Sequence, residues 1–288
     1  MRVRGINMVD FNLLKKYFEQ YIEDTYIKIK KKYLISDDEE TLKVFNVHNK
    51  MVKQKYDHTM RVVENISKVA EKMGQSANFL ELTKTVALLH DIGRFEQAIY
   101  SDSYVDSIVY KNHPTLKNHA EEGELFLNET GFKIFNTPQI YQPAISKSVG
   151  LHQVNELPRE FNHKVDIHFG KIEPDKILTG SYKFNEYEQK IISLLLQMVR
   201  DVDKIDILYQ RANGEIKAIP SIMYVKNTDK ASILYNWGIT YSDLKELNSE
   251  YDINNSYSIM VDTKKIPVEK LFIKDDIKNM IYSGEKII

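Results

Sequence analysis

The chain has 288 residues, of which 42% are hydrophobic and 28% are charged, a composition typical of a globular protein with a large core. Its 40 lysines and arginines nearly balance 41 aspartates and glutamates, so the overall charge gives no strong signal for binding to nucleic acid or to an anionic membrane. The absence of cysteine excludes disulfides, thiolate zinc sites and iron–sulfur clusters.

The scarcity of helix-breaking residues predicts a mostly α-helical fold. Only 11 glycines and 7 prolines interrupt the chain, and apolar residues recur at three- and four-residue spacing between them. The predicted helices are 9–33, 57–73, 76–90, 117–130, 138–152, 185–212 and 268–282. No signal-peptide stretch and no membrane-spanning apolar run occur, so we expect a cytoplasmic protein that does not associate with membranes.

Particular residues mark the expected helix ends. Asp57 is a candidate N-cap for the second helix, and Asn185 and Glu188 have capping-box spacing at the start of the helix over 185–212. Pro143 is expected to bend or interrupt its helix. Glycines are expected to end three of the helices: Gly74, Gly93 and Gly131.

Two regions break the helical pattern and predict small β additions to the helical fold. One is 155–182 and the other is 219–262. The expected strands are Val165–Phe169, Ile219–Val225 and Tyr257–Val261.

The tetrad His90-Asp91-Ile92-Gly93 follows an apolar stretch at a predicted helix end. Adjacent imidazole and carboxylate groups suit a divalent metal ion, although an isolated His-Asp pair is more often a structural helix terminus. Two further motifs change that balance. His58 lies in the sequence Asp-His-Thr-Met-Arg-Val, and the sequence Arg-Asp-Val-Asp-Lys-Ile-Asp of the late helix offers three competing carboxylates: Asp201, Asp203 and Asp206.

These motifs, in this order over roughly 48–212, resemble the HD-domain superfamily, which is named for its His…His-Asp…Asp metal ligands. The resemblance implies an HD-domain helical bundle, and it favours Asp203, directly before Lys204, as the late ligand. Two later histidines match those of members that hold two ions, with Asp91 as the bridging ligand. The implied metal ligands are His58, His90, Asp91, His119, His152 and Asp203.

The resemblance also leaves some histidines as rivals or bystanders. His113 competes with His119 for the third histidine position, whereas three others fall outside the pattern: His48, His163 and His168. The implied cofactors are divalent ions, two in number, drawn from Mn, Fe, Co, Ni, Zn and Mg.

The implied function is a metal-dependent phosphohydrolase that acts on a nucleotide or another phosphomonoester or phosphodiester through a metal-activated hydroxide. Asp91 and Arg94 are the expected catalytic residues. Arg94 directly follows the tetrad and could bind phosphate oxygens, with Arg61 and Lys204 as further substrate-binding candidates. The alternative for Arg94 is a surface residue paired with Glu96 or Asp102.

Two other functions fit the same ligand series: a di-iron HD-type oxygenase and a non-catalytic nucleotide-sensing module. The GYP signature of cyclic-dinucleotide phosphodiesterases is absent. The expected domains are an N-terminal helical extension over 1–47, the HD phosphohydrolase domain over 48–212, and a C-terminal α+β extension over 213–288 packed on it. The expected partner is a small phosphate ester, and the sequence leaves the oligomeric state open.

Overall fold

The computed structural model describes residues 9–104, 109, 111–113, 118–154, 157–161, 171–212, 221–224 and 258–261. Most of these residues are helical, which confirms the predicted fold class. The chain divides into two compact units, Met1–Val199 and Arg200–Ile288. In the described part of the chain, no helix combines the length and apolar character that crossing a membrane requires.

The first unit contains all of the described helices except the end of the last one. Its first four helices are α1 (Phe11–Tyr33), α2 (Glu39–Lys72), α3 (Ala77–Leu89) and α4 (Ile92–Tyr100). Helix α5 (His119–Phe126) continues through a π-helical turn, Leu127–Gly131, into the short α6 (Phe132–Ile134). Then follow α7 (Gln142–Leu151), a 3₁₀ turn (Arg159–Phe161), α8 (Pro174–Ile177) and the start of α9 (Glu186–Ala212).

The second unit contains the end of α9 and two short strands, β1 (Ser221–Tyr224) and β2 (Ser258–Val261). The strands pair antiparallel, with Ser221 opposite Val261 and Tyr224 opposite Ser258. They lie within two of the expected strands, Ile219–Val225 and Tyr257–Val261. The predicted strand Val165–Phe169 and the predicted helix 268–282 lie outside the described residues.

Helix α3 is the most apolar element of the first unit, and nearly all of its second half is buried. It packs against α2 and α7, while α1 contacts α2, α3 and α4. Phe18 of α1 meets Phe95 of α4 edge to face, with ring centroids 5.6 Å apart and both side chains fully buried. Burial of each such ring contributes about 1.5–3 kcal/mol, so this contact packs α1 firmly against α4.

The start of α2 differs from the prediction. The helix begins 18 residues before Asp57, because Asp38 is its N-cap and accepts a hydrogen bond from the backbone N–H of Thr41 at 2.8 Å. Asp57 therefore lies in mid-helix and pairs with Lys53 at 2.7 Å. The end of α2 agrees with the prediction, since Gly74 follows it with a φ of 66°.

Three other expectations about helix ends were wrong. Gly93 lies inside α4, and Gly131 lies inside a continuous helical turn with ordinary helical backbone angles. The residue with positive φ after α6 is Asn136, at 49°. Pro143 occupies the first turn of α7, where its missing N–H has no helical partner to lose, so it starts the helix instead of bending it.

The capping box at the start of α9 is confirmed. The Asn185 side chain accepts from the backbone N–H of Glu188 at 3.0 Å, and the Glu188 carboxylate accepts from the backbone N–H of Asn185 at 2.9 Å. The same carboxylate accepts from both the backbone N–H and the hydroxyl of Thr179 at 2.8 Å. This buried glutamate thus fixes the preceding loop to the helix start.

Candidate metal centre

Helix ends bring four of the predicted site residues together. His90 and Asp91 form the link between α3 and α4, His119 is the first residue of α5, and His152 directly follows α7. His58 projects from the middle of α2. All five side chains are buried. The packing of five helices, α2, α3, α4, α5 and α7, therefore gathers residues that are far apart in the sequence.

A close crossing of α4 and α5 places His119 beside Asp91. A Cβ on Gly93 would lie 2.2 Å from the carbonyl oxygen of His119 and 2.9 Å from the backbone nitrogen of Gly123, so only glycine fits there. Asn118 caps α5 by accepting from the backbone N–H of Glu121 at 3.0 Å. Gly93 thus allows α4 and α5 to pack closely together, and it does not end a helix.

The carboxylate of Asp91 lies between two pairs of histidines. Its Oδ2 is 3.5 Å from Nε2 of His58 and 3.3 Å from Nε2 of His90. Its Oδ1 is 3.4 Å from Nε2 of His119 and 3.7 Å from Nε2 of His152. Each carboxylate oxygen of Asp91 therefore faces one pair of histidines.

Two of these histidines are oriented by the helices that they follow. Nδ1 of His90 donates to the carbonyl of Ala87, and Nδ1 of His152 donates to the carbonyl of Val149, each at 2.7 Å. Because a carbonyl only accepts, the proton is on Nδ1, and the Nε2 lone pair points to the centre. Nε2 of His152 also lies 3.3 Å from Nε2 of His119. Imidazole nitrogens and a carboxylate that converge in this way suit a divalent cation, so the residues present fit a metal.

The described residues form two groups whose potential ligand atoms lie within 4.8 Å of one another. One group is His58, His90, Asp91 and Asp203; the other is Asp91, His119 and His152. Asp203 and Asp206 are both buried, but only Asp203 belongs to a group. These buried clusters could bind metal ions.

The ammonium of Lys55 is a feature that the sequence reasoning missed. Its Nζ donates to Oδ2 of Asp91 at 2.7 Å, and its side chain is only 15% exposed. Burial alone would raise the pKa of Asp91, but Lys55 and then His90, His152 and His58 hold that pKa well below its ordinary value. Lys55 lies three residues before His58 on α2, so helical spacing could have placed the two side chains on one face.

Arg94 lies beside the centre and is buried, so the alternative of a surface arginine is wrong. Its guanidinium donates to the side chain of Gln97 at 2.9 Å and to the carbonyl of Tyr104 at 2.7 Å. Its Nε is 4.0 Å from Oδ1 of Asp91. Gln97 and the Tyr104 carbonyl thus hold the guanidinium at the edge of the centre without any bound molecule.

The remaining candidates lie elsewhere or outside the described residues. Arg61 is half-buried on α2, one turn after His58, and the side chain of Lys204 is not described. Nδ1 of His48 donates to the carbonyl of Ala98 at 2.6 Å, and the His48 ring stacks on Tyr33. His113 packs near Tyr100, with ring centroids 6.2 Å apart. Neither His48 nor His113 belongs to a described ligand group, and two further histidines are outside the described residues: His163 and His168.

Packed helices around a buried set of histidines and aspartates define a helical metal-binding domain. The family model of the HD domain matches residues 56–208, more than half of the chain, and the chain belongs to this family. The resemblance inferred from the motifs is therefore confirmed, and it places the protein in a superfamily of metal-dependent hydrolases. No curated protein and no solved structure gave a significant match.

Proposed function

We propose that the protein is a metal-dependent phosphohydrolase that holds two divalent ions. In this proposal His58, His90 and Asp203 would hold one ion, His119 and His152 would hold the other, and Asp91 would contribute to both. Histidine and carboxylate donors without thiolate favour Mn, Fe, Co, Ni or Zn, and Mg is compatible with the carboxylates.

The observation that carries this proposal is the position of Asp91. Its two oxygens face different histidine pairs at 3.3–3.7 Å. A single-ion site would need only one of these pairs. Its depressed pKa means that the carboxylate is ionised at neutral pH, which is the form that binds metal.

The chemistry divides between the ions and the chain. When bound, two divalent ions supply Lewis-acid activation of water and of a phosphoryl oxygen. Asp91 fixes the spacing of the two histidine pairs, and the backbone carbonyls behind His90 and His152 fix their orientation. Arg94 neutralises negative charge that develops on the phosphoryl group.

The substrate class follows from the charges that surround the centre. Arg94 is buried with its Nε 4.0 Å from Asp91, so the edge of the site is cationic and favours an anionic ligand. We therefore propose a nucleotide or another phosphomonoester or phosphodiester. Arg61 is proposed as a further substrate contact because it follows His58 by one helical turn, and Lys204 because it adjoins Asp203.

The test is hydrolysis by the purified full chain loaded separately with each candidate metal. Phosphomonoesters, nucleotides and phosphodiesters are the substrates, and metal content is measured in parallel. We expect hydrolysis of at least one class with about two ions per chain. Asp91→Ala should lose nearly all bound metal and activity, whereas Asp57→Ala, which removes an exposed aspartate from the same helix as His58, should retain both.

Other outcomes identify the competing functions. A coupled iron pair that turns over a substrate only with O₂ would establish the oxygenase instead. Nucleotide binding without turnover under any metal would establish the sensing module. Two ions retained in Asp91→Ala would refute the shared role of this carboxylate.

A further inference from the structure

We propose that Lys55 and Tyr104 form, with Arg94, the part of the site that binds the anionic group of the substrate. In this assignment the Lys55 ammonium contacts a phosphoryl oxygen and the Tyr104 phenol donates a hydrogen bond to one. The inference rests on the proposed phosphohydrolase function and extends it to residues outside the metal-ligand motifs.

Lys55 reaches the centre from the N-terminal side of His58. Its Nζ is 2.7 Å from Oδ2 of Asp91, the same oxygen that faces His58 and His90. An ammonium has three N–H donors, and among the described residues Asp91 is the hydrogen-bond acceptor that it contacts. An ammonium fixed at this point can donate to a second, negatively charged oxygen while it stays bonded to the carboxylate.

Tyr104 lies next to both cations. Its ring centroid is 5.5 Å from Nζ of Lys55 and 5.6 Å from the central carbon of the Arg94 guanidinium. Its backbone carbonyl accepts a hydrogen bond from Arg94 at 2.7 Å, which fixes the segment after α4 to the edge of the centre. The ring therefore contacts the side chains that flank Asp91 on either side.

The hydroxyl of Tyr104 is buried, and within the described part of the chain no group bonds to it. This hydroxyl can therefore donate to an acceptor oxygen that a ligand brings beside Lys55 and Arg94. Burial raises the pKa of this phenol well above its ordinary value, Arg94 opposes the rise and Asp91 adds to it, so the hydroxyl stays protonated and able to donate.

Lys55, Arg94 and Tyr104 together favour a ligand that can accept hydrogen bonds. Lys55 and Arg94 can only donate, and the protonated phenol is a donor here as well. A ligand in contact with all three must therefore present several acceptor oxygens and a negative charge. A phosphoryl group meets both conditions, and the adjacent histidine pairs would place it beside the metal ions.

The test measures binding of inorganic phosphate to the full chain loaded with Mn²⁺, by titration calorimetry, together with metal content. The variants are Lys55→Met, Lys55→Arg and Tyr104→Phe. Two matched controls come from α2: Lys53→Met removes an exposed lysine that pairs with Asp57, and Tyr56→Phe removes an exposed hydroxyl that bonds to Glu19.

We expect Lys55→Met to weaken phosphate binding by about tenfold or more, since it removes a charge-assisted contact, and Tyr104→Phe to weaken it by about threefold to tenfold. Lys55→Arg should recover part of the loss because it keeps the charge. Metal content should stay at the parent level in every variant, and both controls should bind phosphate as the parent does.

The possible failures are distinguishable. If the parent binds phosphate and hydrolyses phosphoesters while Lys55→Met and Tyr104→Phe behave like it, the inference is overturned and the proposed function stands. If Lys55→Met loses metal together with phosphate, Lys55 only orders Asp91 and the anion contact is refuted. If the metal-loaded parent neither binds phosphate nor hydrolyses any phosphoester, the proposed function fails and this inference fails with it.

Discussion

Substitution of Gly93 by alanine tests how the contact between α4 and α5 positions His119, which is proposed to hold the second ion together with His152. The added Cβ would lie 2.2 Å from the carbonyl oxygen of His119 and 2.9 Å from the backbone nitrogen of Gly123. Both are backbone atoms, so no side-chain rotation relieves the contact, and α4 and α5 must separate by about 1 Å. Overpacking of this kind costs about 2–3 kcal/mol, which corresponds to a fall in Tm of about 4–12 °C.

The same separation should remove the second ion, because metal–ligand distances tolerate only about 0.2 Å of change. Metal content should fall from about two toward one per chain, and Tm should be measured in chelator so that lost metal does not contribute to the shift. Gly74→Ala is the control. It strains a residue with a φ of 66° in open space, so it should destabilise the fold without loss of metal. A Gly93→Ala protein with two ions and an unchanged Tm would refute the close crossing.

Three further predictions address individual side chains. His119→Ala or His152→Ala should each lower metal content from about two toward one, and two ions retained in the double variant would show that other residues hold the second ion. Asp203→Ala should reduce metal affinity more than Asp206→Ala; the reverse order, measured by metal titration, would show that the assignment within this helix is wrong. Arg94→Ala should lower kcat/KM for a phosphoester by about 10²–10³ with metal content unchanged, and Arg94→Lys should recover only part. Because Arg94 is buried and bonded to Gln97, a lower Tm should accompany the loss, and unchanged kcat/KM would remove Arg94 from the mechanism.

Features set by local sequence were predictable. The box formed by Asn185 and Glu188 depends on residues three apart, and the structure contains it as expected. The histidine and aspartate motifs were recognisable because their order along the chain carried the information, and the structure brings His58, His90, Asp91, His119 and His152 together. The start of α2 at Glu39 was also predictable, because Asp38 is followed by two glutamates and Thr41, which is a common pattern at the start of a helix.

Features set by contacts between distant segments were not predictable in this way. Lys55 bonds to Asp91, which lies 36 positions away in the sequence. Helical spacing predicts the face of α2 on which Lys55 lies, but it does not predict the residue that Lys55 contacts. A glycine after an apolar helical stretch predicts a helix end, whereas the role of Gly93 depends on a backbone atom of His119 on another helix. Tyr104 carried no motif at all, and its position follows only from its contacts with Lys55 and Arg94.

The hydrogen bonds behind His90 and His152 have a consequence for the kinetics of metal uptake. Each imidazole is already locked by the last turn of its own helix, through Ala87 and Val149, in the tautomer that presents Nε2. Neither ring needs to exchange its proton between nitrogens or to rotate before an ion arrives. If these two rings hold a metal as proposed, its uptake there would require entry of the ion and loss of its bound water, with no prior tautomer exchange of either imidazole.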